Sequence, residues 1–389
     1  MIYLDYAATT PMNSNAIEVY KQVAERYFGN ASSLHDIGSN ARQIKEASAK
    51  VIANALGAHP KDVWFTSGAT ESNFVAIQAL LDGRADSRKQ IITTDIEHSS
   101  VLNVFHRLEK EGWLVNWLHV DENGKADLDH LKELVSEQTA LVSVQQINSE
   151  LGTIQPLKEI AEIVKPLGVL FHSDCVQAFG KIPVNVADLG IDALSISAHK
   201  IYGPKGVGAV WMNPDVEWGA YFADPHQKKS LRFGTDNVPG IAAFAAVVKE
   251  VQLALESEFE RISSFKKNLI SAFRKLPHEM VIEGSFNETS PYILGLRFPG
   301  FEGQIFMLDC SQAGLAISTG SACQVGSDLP NRTMKTLGRT DEQAREFVRF
   351  SFGKDVKAEL INEIIPKIDT ILTRHFKKVL RPAQNKSEL

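Results

Sequence analysis

Short apolar runs bounded by Gly, Pro, Asn or Asp punctuate the middle of this 389-residue chain: Val63–Thr66, Gln90–Thr93, Leu141–Val144, Val169–His172, Ala193–Ile196 and Gly208–Trp211. Their length and β-branched content mark them as strands. Helical patterns lie between them, as at Glu71–Leu81 and Ser99–Glu111. Such alternation predicts an α/β fold with a mostly parallel, doubly wound sheet and helices on both faces. Sheets of this kind hold ligands beyond the carboxyl ends of their strands. The polar residues just after each run are therefore where chemistry is expected.

From about Pro239 the pattern changes. Ile241, Phe244, Val247, Val248, Val251 and Leu255 recur at helical spacing and continue into Phe259, Ile262 and Phe265, a long helix or helix pair. Strand-like Met280–Glu283, Tyr292–Phe298 and Val348–Phe352 follow, with a final amphipathic helix from Ala358 to about Phe376. The expected division is a large domain over residues 13–255 and a smaller α+β domain built from 1–12 and 256–389.

Composition narrows the function classes. Lys+Arg 41 against Asp+Glu 47 gives a net charge of −6, which lacks the basic footprint of a nucleic-acid binder. No apolar run approaches the ~20 residues of a membrane helix. The N-terminus shows no basic leader followed by an apolar stretch. Three cysteines in a chain this long do not form a disulfide framework. The expectation is a soluble, cytoplasmic enzyme with no nucleic-acid or membrane partner.

Four segments placed just after strands carry chemistry. In Ser197-Ala198-His199-Lys200-Ile201-Tyr202-Gly203-Pro204 a lysine follows a strand end. An amine held in such a pocket suits Schiff-base chemistry once burial or nearby cations lower its pKa, whereas a lone lysine there is more often a surface turn residue. Thr66-Ser67-Gly68-Ala69-Thr70-Glu71-Ser72-Asn73 is a Gly-containing turn at a helix start. It is either a phosphate nest or an ordinary hydroxyl cap. Asp174 ends a strand with Gln177 three residues on, where a carboxylate could hold a protonated heterocyclic nitrogen or simply cap a helix. His98, after Asp95-Ile96-Glu97, suits stacking on a ring and proton relay. Together they supply what pyridoxal phosphate needs: an amine, a phosphate nest, an acid for the pyridinium nitrogen and a ring above the cofactor.

A fifth segment, Ala316-Ile317-Ser318-Thr319-Gly320-Ser321-Ala322-Cys323-Gln324-Val325-Gly326-Ser327, is a small-residue loop carrying one thiol. With little apolar content to bury it is expected to be exposed and mobile, and its cysteine can become a nucleophile. Cys310 fits the apolar face of a helix and Cys175 adjoins Asp174, so both are expected to be packed.

With these motifs in order, the chain resembles a pyridoxal-phosphate-dependent cysteine desulfurase of the NifS/IscS type, in the class V aminotransferase group with the long Cys loop. The resemblance runs from Tyr3-Leu4-Asp5-Tyr6-Ala7-Ala8-Thr9-Thr10-Pro11 through Gly29-Asn30-Ala31-Ser32-Ser33-Leu34-His35, the segments above, Arg232-Phe233-Gly234-Thr235 and Ser321-Ala322-Cys323, to Arg349-Phe350-Ser351. It implies the fold type I of pyridoxal-phosphate transferases. It further implies that Lys200 carries the cofactor and moves the Cα proton, that Asp174 holds the pyridinium nitrogen, and that Gln177 reaches the ring hydroxyl. His98 would stack on the ring and relay protons, with Asn148 beside it. Ala69, Thr70, Ser197 and His199 would bind the phosphate, with Thr235 reaching it from a neighbouring subunit of a homodimer with shared sites. Arg349, assisted by Asn30 and Ser149, would hold the carboxylate of L-cysteine. Cys323, on a loop of about residues 318–330, would take the sulfur as a persulfide and pass it to an acceptor protein, such as an iron–sulfur scaffold or another client enzyme. No metal ligand is implied.

Three positions depart from the family pattern. Asn148-Ser149-Glu150-Leu151-Gly152 has Ser149 where two adjacent Asn are usual. Asp224-Pro225-His226-Gln227-Lys228-Lys229 replaces a Gly-rich run, and Cys175 replaces an Ala. The alternatives are selenocysteine lyase or another class V lyase or aminotransferase, and a non-enzymatic sulfur-relay scaffold, which the intact Lys200, Asp174, His98 and Cys323 set argues against.

Overall fold

The computed structural model describes residues 1–220, 230–285, 288–320 and 329–379. Its strands in chain order are β1 (Ile2–Tyr3), β2 (Val63–Thr66), β3 (Gln90–Thr94), β4 (Leu114–Leu118), β5 (Thr139–Ser143), β6 (Leu170–Asp174), β7 (Ala193–Ser197), β8 (Gly208–Met212), β9 (Val281–Glu283), β10 (Ile293–Arg297), β11 (Leu315–Ala316) and β12 (Phe347–Ser351). The chain forms two compact units. One comprises residues 9–148 and 154–257, the other 1–8, 149–153 and 258–389.

The larger unit is built on a seven-stranded sheet in the order β2-β8-β7-β6-β5-β3-β4. The ladders from β7 through β6, β5 and β3 to β4 are parallel. β8 runs against both of its neighbours. Parallel neighbours need crossovers, and helices supply them: Ser99–Lys110 between β3 and β4, and Leu157–Val164 between β5 and β6. β3, β5, β6, β7 and β8 are buried along their whole length, which explains their continuous apolar runs. The helix Ala69–Asp82 packs across the middle of the sheet, placing Val75, Ala76, Ala79 and Leu80 in the core with Ile91, Leu141 and Val210. Burial of each such aliphatic side chain stabilises by ~1.5–3 kcal/mol.

Every parallel strand delivers its last residue toward the same end of the sheet. Thr66, Thr94, Leu118, Ser143, Asp174 and Ser197 are those residues, so the polar segments that follow Thr66, Thr94, Ser143, Asp174 and Ser197 share that end. β4, which was not foreseen, is a sheet-edge strand with Leu114 exposed.

The smaller unit holds the antiparallel sheet β12-β10-β9 and the two-stranded pair β1-β11. Phe273, Phe298, Phe301, Phe306, Phe350 and Phe352 fill its core, several meeting edge to face, as Phe273 and Phe350 do at 5.7 Å. The apolar stretch after Pro239 is two helices, Val238–Leu253 and Leu255–Phe273, separated at Ala254. Among the described residues no single helix is long and apolar enough to cross a membrane.

Candidate active site

At the end of β2 the chain turns through Ser67 and Gly68 into the helix Ala69–Asp82. Gly68 has φ 149° and the position a Cβ would take is open. No side chain caps this helix. The hydroxyl-cap alternative is therefore not realised, and Ala69 and Thr70 form the uncapped first turn. Thr66 Oγ1 instead pairs with Ser72 Oγ at 2.7 Å. On the adjacent strand a Cβ on Gly208 would lie 2.8 Å from the Gly68 carbonyl carbon, so only glycine lets β8 approach the turn. Glu71 accepts the Ser67 N–H and pairs with Arg232 Nε at 3.0 Å. Burial raises its pKa, but the Ser67 hydrogen bond and the Arg232 guanidinium outweigh burial and hold it below the usual carboxylate value. Thr235 lines a small cavity of about 40 Å³ with Thr66, Ser67 and Arg232 of its own chain.

After β3, Glu97 is 1% exposed and accepts from Thr94 Oγ1 (2.9 Å) and, through both oxygens, from the Gln145 N–H (3.0 Å each). Ile96 O accepts from Gln145 Nε2 (2.6 Å) and Asn148 Nδ2 (3.0 Å). Asn148 thus braces the segment that carries His98. His98 caps the helix Ser99–Lys110 through Nδ1, which accepts the Ser100 N–H at 3.2 Å.

After β6, Asp174 is buried. Its Oδ1 accepts the Val176 N–H (3.0 Å) and its Oδ2 accepts Asn73 Nδ2 (2.7 Å). Gln177 and Lys181 are both buried, and Lys181 Nζ donates to Gln177 Oε1 at 2.7 Å. An ammonium can only donate, so the Gln177 amide nitrogen is the atom left to donate elsewhere.

Beyond β7 the chain makes a tight turn over Ala198–Lys200. Ser197 Oγ is buried and has no hydrogen-bond partner among the described residues, a condition that costs ~1–3 kcal/mol for an isolated polar group. His199 Nδ1 lies 3.1 Å from Thr9 Oγ1. Burial, reinforced by the nearby Lys200, Lys205 and Lys181 charges, lowers the His199 pKa to about 4, so the ring is neutral at pH 7. Just past Lys200, Tyr202 holds φ 71°, in the left-handed region that a bulky residue rarely enters. Thr10 Oγ1 fixes it by accepting its N–H at 2.7 Å.

In the smaller unit, Arg349 on β12 is 2% exposed. Its Nη2 donates to Asp5 Oδ1 (2.8 Å), its Nη1 to the Ser149 carbonyl (2.9 Å), and its buried Nε has no partner among the described residues. Ser149 therefore meets Arg349 through its main chain. Asn331 Nδ2 donates to Glu150 Oε1 at 3.3 Å, and a Cβ on Gly320 would lie 2.6 Å from that oxygen. Cys323 and residues 224–229 lie outside the described residues. Asn30, in the larger unit, is exposed and its Oδ1 accepts the Ser32 N–H at 2.9 Å.

Cys175 and Cys310 are both fully buried, and burial pushes both thiols far above the ordinary cysteine value, leaving them unreactive. Among the described residues no group of His, Cys, Asp and Glu is arranged to hold a metal. Sequence reasoning gave no role to Asn73, Ser100, Lys181 or Asp5, each of which holds a site residue. Asn73 and Asp5 already stood inside the recognised motifs, but their partners are distant in sequence.

These arrangements coincide with clear likenesses to known proteins. The class-V aminotransferase family matches residues 2–364. A putative cysteine desulfurase NifS of Bacillus subtilis is 42% identical over 367 residues, covering 94% of this chain and 93% of that protein. A cysteine desulfurase IscS of Dictyoglomus turgidum is 36% identical over 373 residues, covering 96% and 95%. A solved NifS-like protein superposes with a TM-score of 0.89 at 31% identity, covering 96% of this chain and 99% of the other. With sheet order, strand-end residues and whole-length similarity in agreement, the chain belongs to the class-V aminotransferase family, among its NifS/IscS cysteine desulfurases.

Proposed function

We propose that the chain is a pyridoxal-phosphate-dependent cysteine desulfurase, converting L-cysteine to L-alanine and collecting the sulfur on Cys323. The observation that carries this reading is the buried Ser197 hydroxyl, without a partner among the described residues and set at a strand end two positions before His199 and three before Lys200. A phosphate oxygen would satisfy it. The rest of the donor set fits the same cofactor: an uncapped helix start at Gly68-Ala69-Thr70, a buried carboxylate at Asp174, a donor amide at Gln177 and a lysine on a braced turn.

When bound, the cofactor supplies an electron-withdrawing ring that acidifies the substrate Cα and loosens its hold on sulfur. The protein's own groups do the remainder. Lys200 tethers the cofactor and moves the Cα proton, while His98 exchanges protons with the reacting groups. His199 would add a hydrogen bond to the phosphate. Arg349 receives the substrate carboxylate, with its guanidinium preset by Asp5 and the Ser149 carbonyl. The Cys323 thiolate attacks the substrate sulfur, so that an S–S bond forms as the C–S bond breaks. The electron pair of that bond stays on the substrate carbon, which takes up a proton to complete alanine. The persulfide on Cys323 is then passed to an acceptor protein. The inert state of Cys175 and Cys310 supports Cys323 as the nucleophile.

The proposal includes a homodimer in which Thr235 serves a neighbouring subunit's phosphate, and operation in the cytoplasm. Sedimentation of the holoenzyme, together with mixing of Thr235→Ala and Lys200→Ala subunits, tests the sharing: partial recovery of activity in the mixture supports it. The central test is product analysis. Purified protein with pyridoxal phosphate and L-cysteine is expected to release alanine, and Cys323→Ser to lose that turnover while keeping the cofactor band. Pyruvate in place of alanine would identify an eliminating lyase, and exclusive turnover of selenocysteine would identify a selenocysteine lyase.

A further inference from the structure

His98 and Asp174 sit after different strands, yet one unbroken line of hydrogen bonds joins them. Asn73 Nδ2 donates to Asp174 Oδ2 (2.7 Å) and to Ser100 Oγ (2.9 Å). Ser100 Oγ lies 2.7 Å from His98 Nδ1, and the Ser100 N–H points at the same nitrogen from 3.2 Å. Asn73, Ser100 and Asp174 are all buried.

The direction of every bond in this line is fixed by chemistry. An ionised carboxylate can only accept, so the Asn73 atom facing Asp174 is the amide nitrogen, and the same nitrogen faces Ser100. The Ser100 oxygen accepts from Asn73, and its own proton is left to donate to His98. The backbone N–H of Ser100 can only donate. His98 Nδ1 therefore meets two donors and must present a lone pair, and the neutral ring must carry its proton on Nε2. The Asn73 carbonyl oxygen is buried without a partner among the described residues. The amide is thus held by its nitrogen alone, and its two hydrogens are divided between Asp174 and Ser100.

We infer that Asn73 is a positioning residue that couples Asp174 to His98 and sets His98 as the Nε2–H tautomer. Asn73 touches neither substrate nor reacting atoms; it acts through the carboxylate and the imidazole. The tautomer is a property of this chain, whereas its use beside a pyridine ring rests on the function proposed above. A ring set in this way offers Nε2–H as a donor to any group it meets. It also holds Nδ1 as the protected acceptor, so proton exchange is confined to one nitrogen.

The test is nitrogen-15 NMR of the histidine side chains in the full-length, cofactor-loaded protein, with His98 assigned by the signal lost in His98→Gln. Wild-type His98 is expected in the Nε2–H form. Asn73→Ala frees the Ser100 hydroxyl to accept, so the Nε2–H to Nδ1–H ratio is expected to fall about fivefold, the equivalent of one hydrogen bond. Ser100→Ala removes the middle link but leaves Asp174 and Asn73 in contact, and is expected to lower the ratio similarly. It provides the reading if Asn73→Ala does not fold. Fluorescence titration of pyridoxal phosphate is expected to show about tenfold weaker binding in Asn73→Ala, through loss of the charged hydrogen bond to Asp174. An Nδ1–H tautomer in the wild type, or an unchanged ratio in folded variants, overturns the inference. A chain that takes up no pyridoxal phosphate removes the functional reading instead, and the tautomer measured in that protein still decides this one.

Discussion

Arg349 and Ser318 exchange both of their backbone hydrogen bonds, at 2.6 and 3.1 Å. The strand that carries the buried guanidinium is thereby stitched to a residue two positions before Gly320. Arg349→Lys keeps the charge but loses the fork that spans Asp5 and the Ser149 carbonyl. Loss of one bidentate, charge-assisted contact worth ~1.5–3 kcal/mol predicts a fall in kcat/KM for L-cysteine of about 10- to 100-fold. Most of the loss is expected in KM, with the visible spectrum of the bound cofactor unchanged. Steady-state kinetics of the variant decide this, and an unaltered KM would remove Arg349 from substrate binding.

Gly208 and Gly68 predict a defect confined to the cofactor. A methyl group on Gly208 meets the Gly68 carbonyl carbon, Ile196 O and Thr66 Oγ1, each at 2.8 Å, and two of these are rigid backbone. The turn after β2 must shift to admit it. Overpacking of ~1–3 kcal/mol at this place predicts about tenfold weaker binding of pyridoxal phosphate in Gly208→Ala, measured by equilibrium titration.

Much of this arrangement was legible in the sequence, and what escaped has physical reasons. Strands buried on both faces announce themselves as apolar runs, so β3, β5, β6, β7 and β8 are legible to within a few residues, as is β2, an edge strand with Val63, Phe65 and Thr66 buried. β4 was not, because Leu-Val-Asn-Trp-Leu at an exposed sheet edge has neither a continuous run nor clean alternation. The break at Ala254 divides an apolar stretch whose periodicity continues on both sides, and periodicity cannot see a change of direction. The residues proposed to touch ligands stand in dense local motifs. Those that hold them do not: Asn73 reaches Asp174 across 101 positions and Arg349 reaches Asp5 across 344. Such pairings arise only once the sheet and the N-terminal segment are in place.

The ion network of the smaller unit predicts a large loss of stability. Arg297 pairs with Glu283 Oε1 at 2.5 Å and with Glu346 Oε2 at 3.1 Å, and Glu283 is fully buried. Arg339 adds a second contact to Glu283 at 3.0 Å. Burial lowers the Arg297 pKa, but the two carboxylates more than offset this and raise it, so the charge persists at any physiological pH. Arg297→Met leaves Glu346 with the Gly300 N–H but no cation, and Glu283 dependent on Arg339 alone. Removing one partner of a buried ion pair costs ~3–5 kcal/mol. Denaturant unfolding of the variant is expected to show a loss of that size, with Glu283→Gln in the same background recovering part of it. A loss below 1 kcal/mol would mean that the network is hydrated.

His172 predicts how stability responds to acid. It lies on β6, fully buried, with Nδ1 2.9 Å from Ser143 Oγ and Nε2 3.1 Å from Ser195 Oγ. Burial lowers its pKa to about 3, against an ordinary value near 6.5. The folded protein therefore keeps this ring neutral where the unfolded chain protonates it. Below pH 6.5 the unfolded state binds the additional proton, so stability falls with pH by up to ~1.4 kcal/mol per unit until the folded value is reached. Above pH 6.5 the group contributes no slope. His172→Gln retains hydrogen bonding to the two serines but cannot titrate, and urea unfolding between pH 7 and pH 5 is expected to show a correspondingly flatter profile for the variant. Identical slopes in the two proteins would place the acid sensitivity on other groups and show that protonated His172 is accommodated within the sheet.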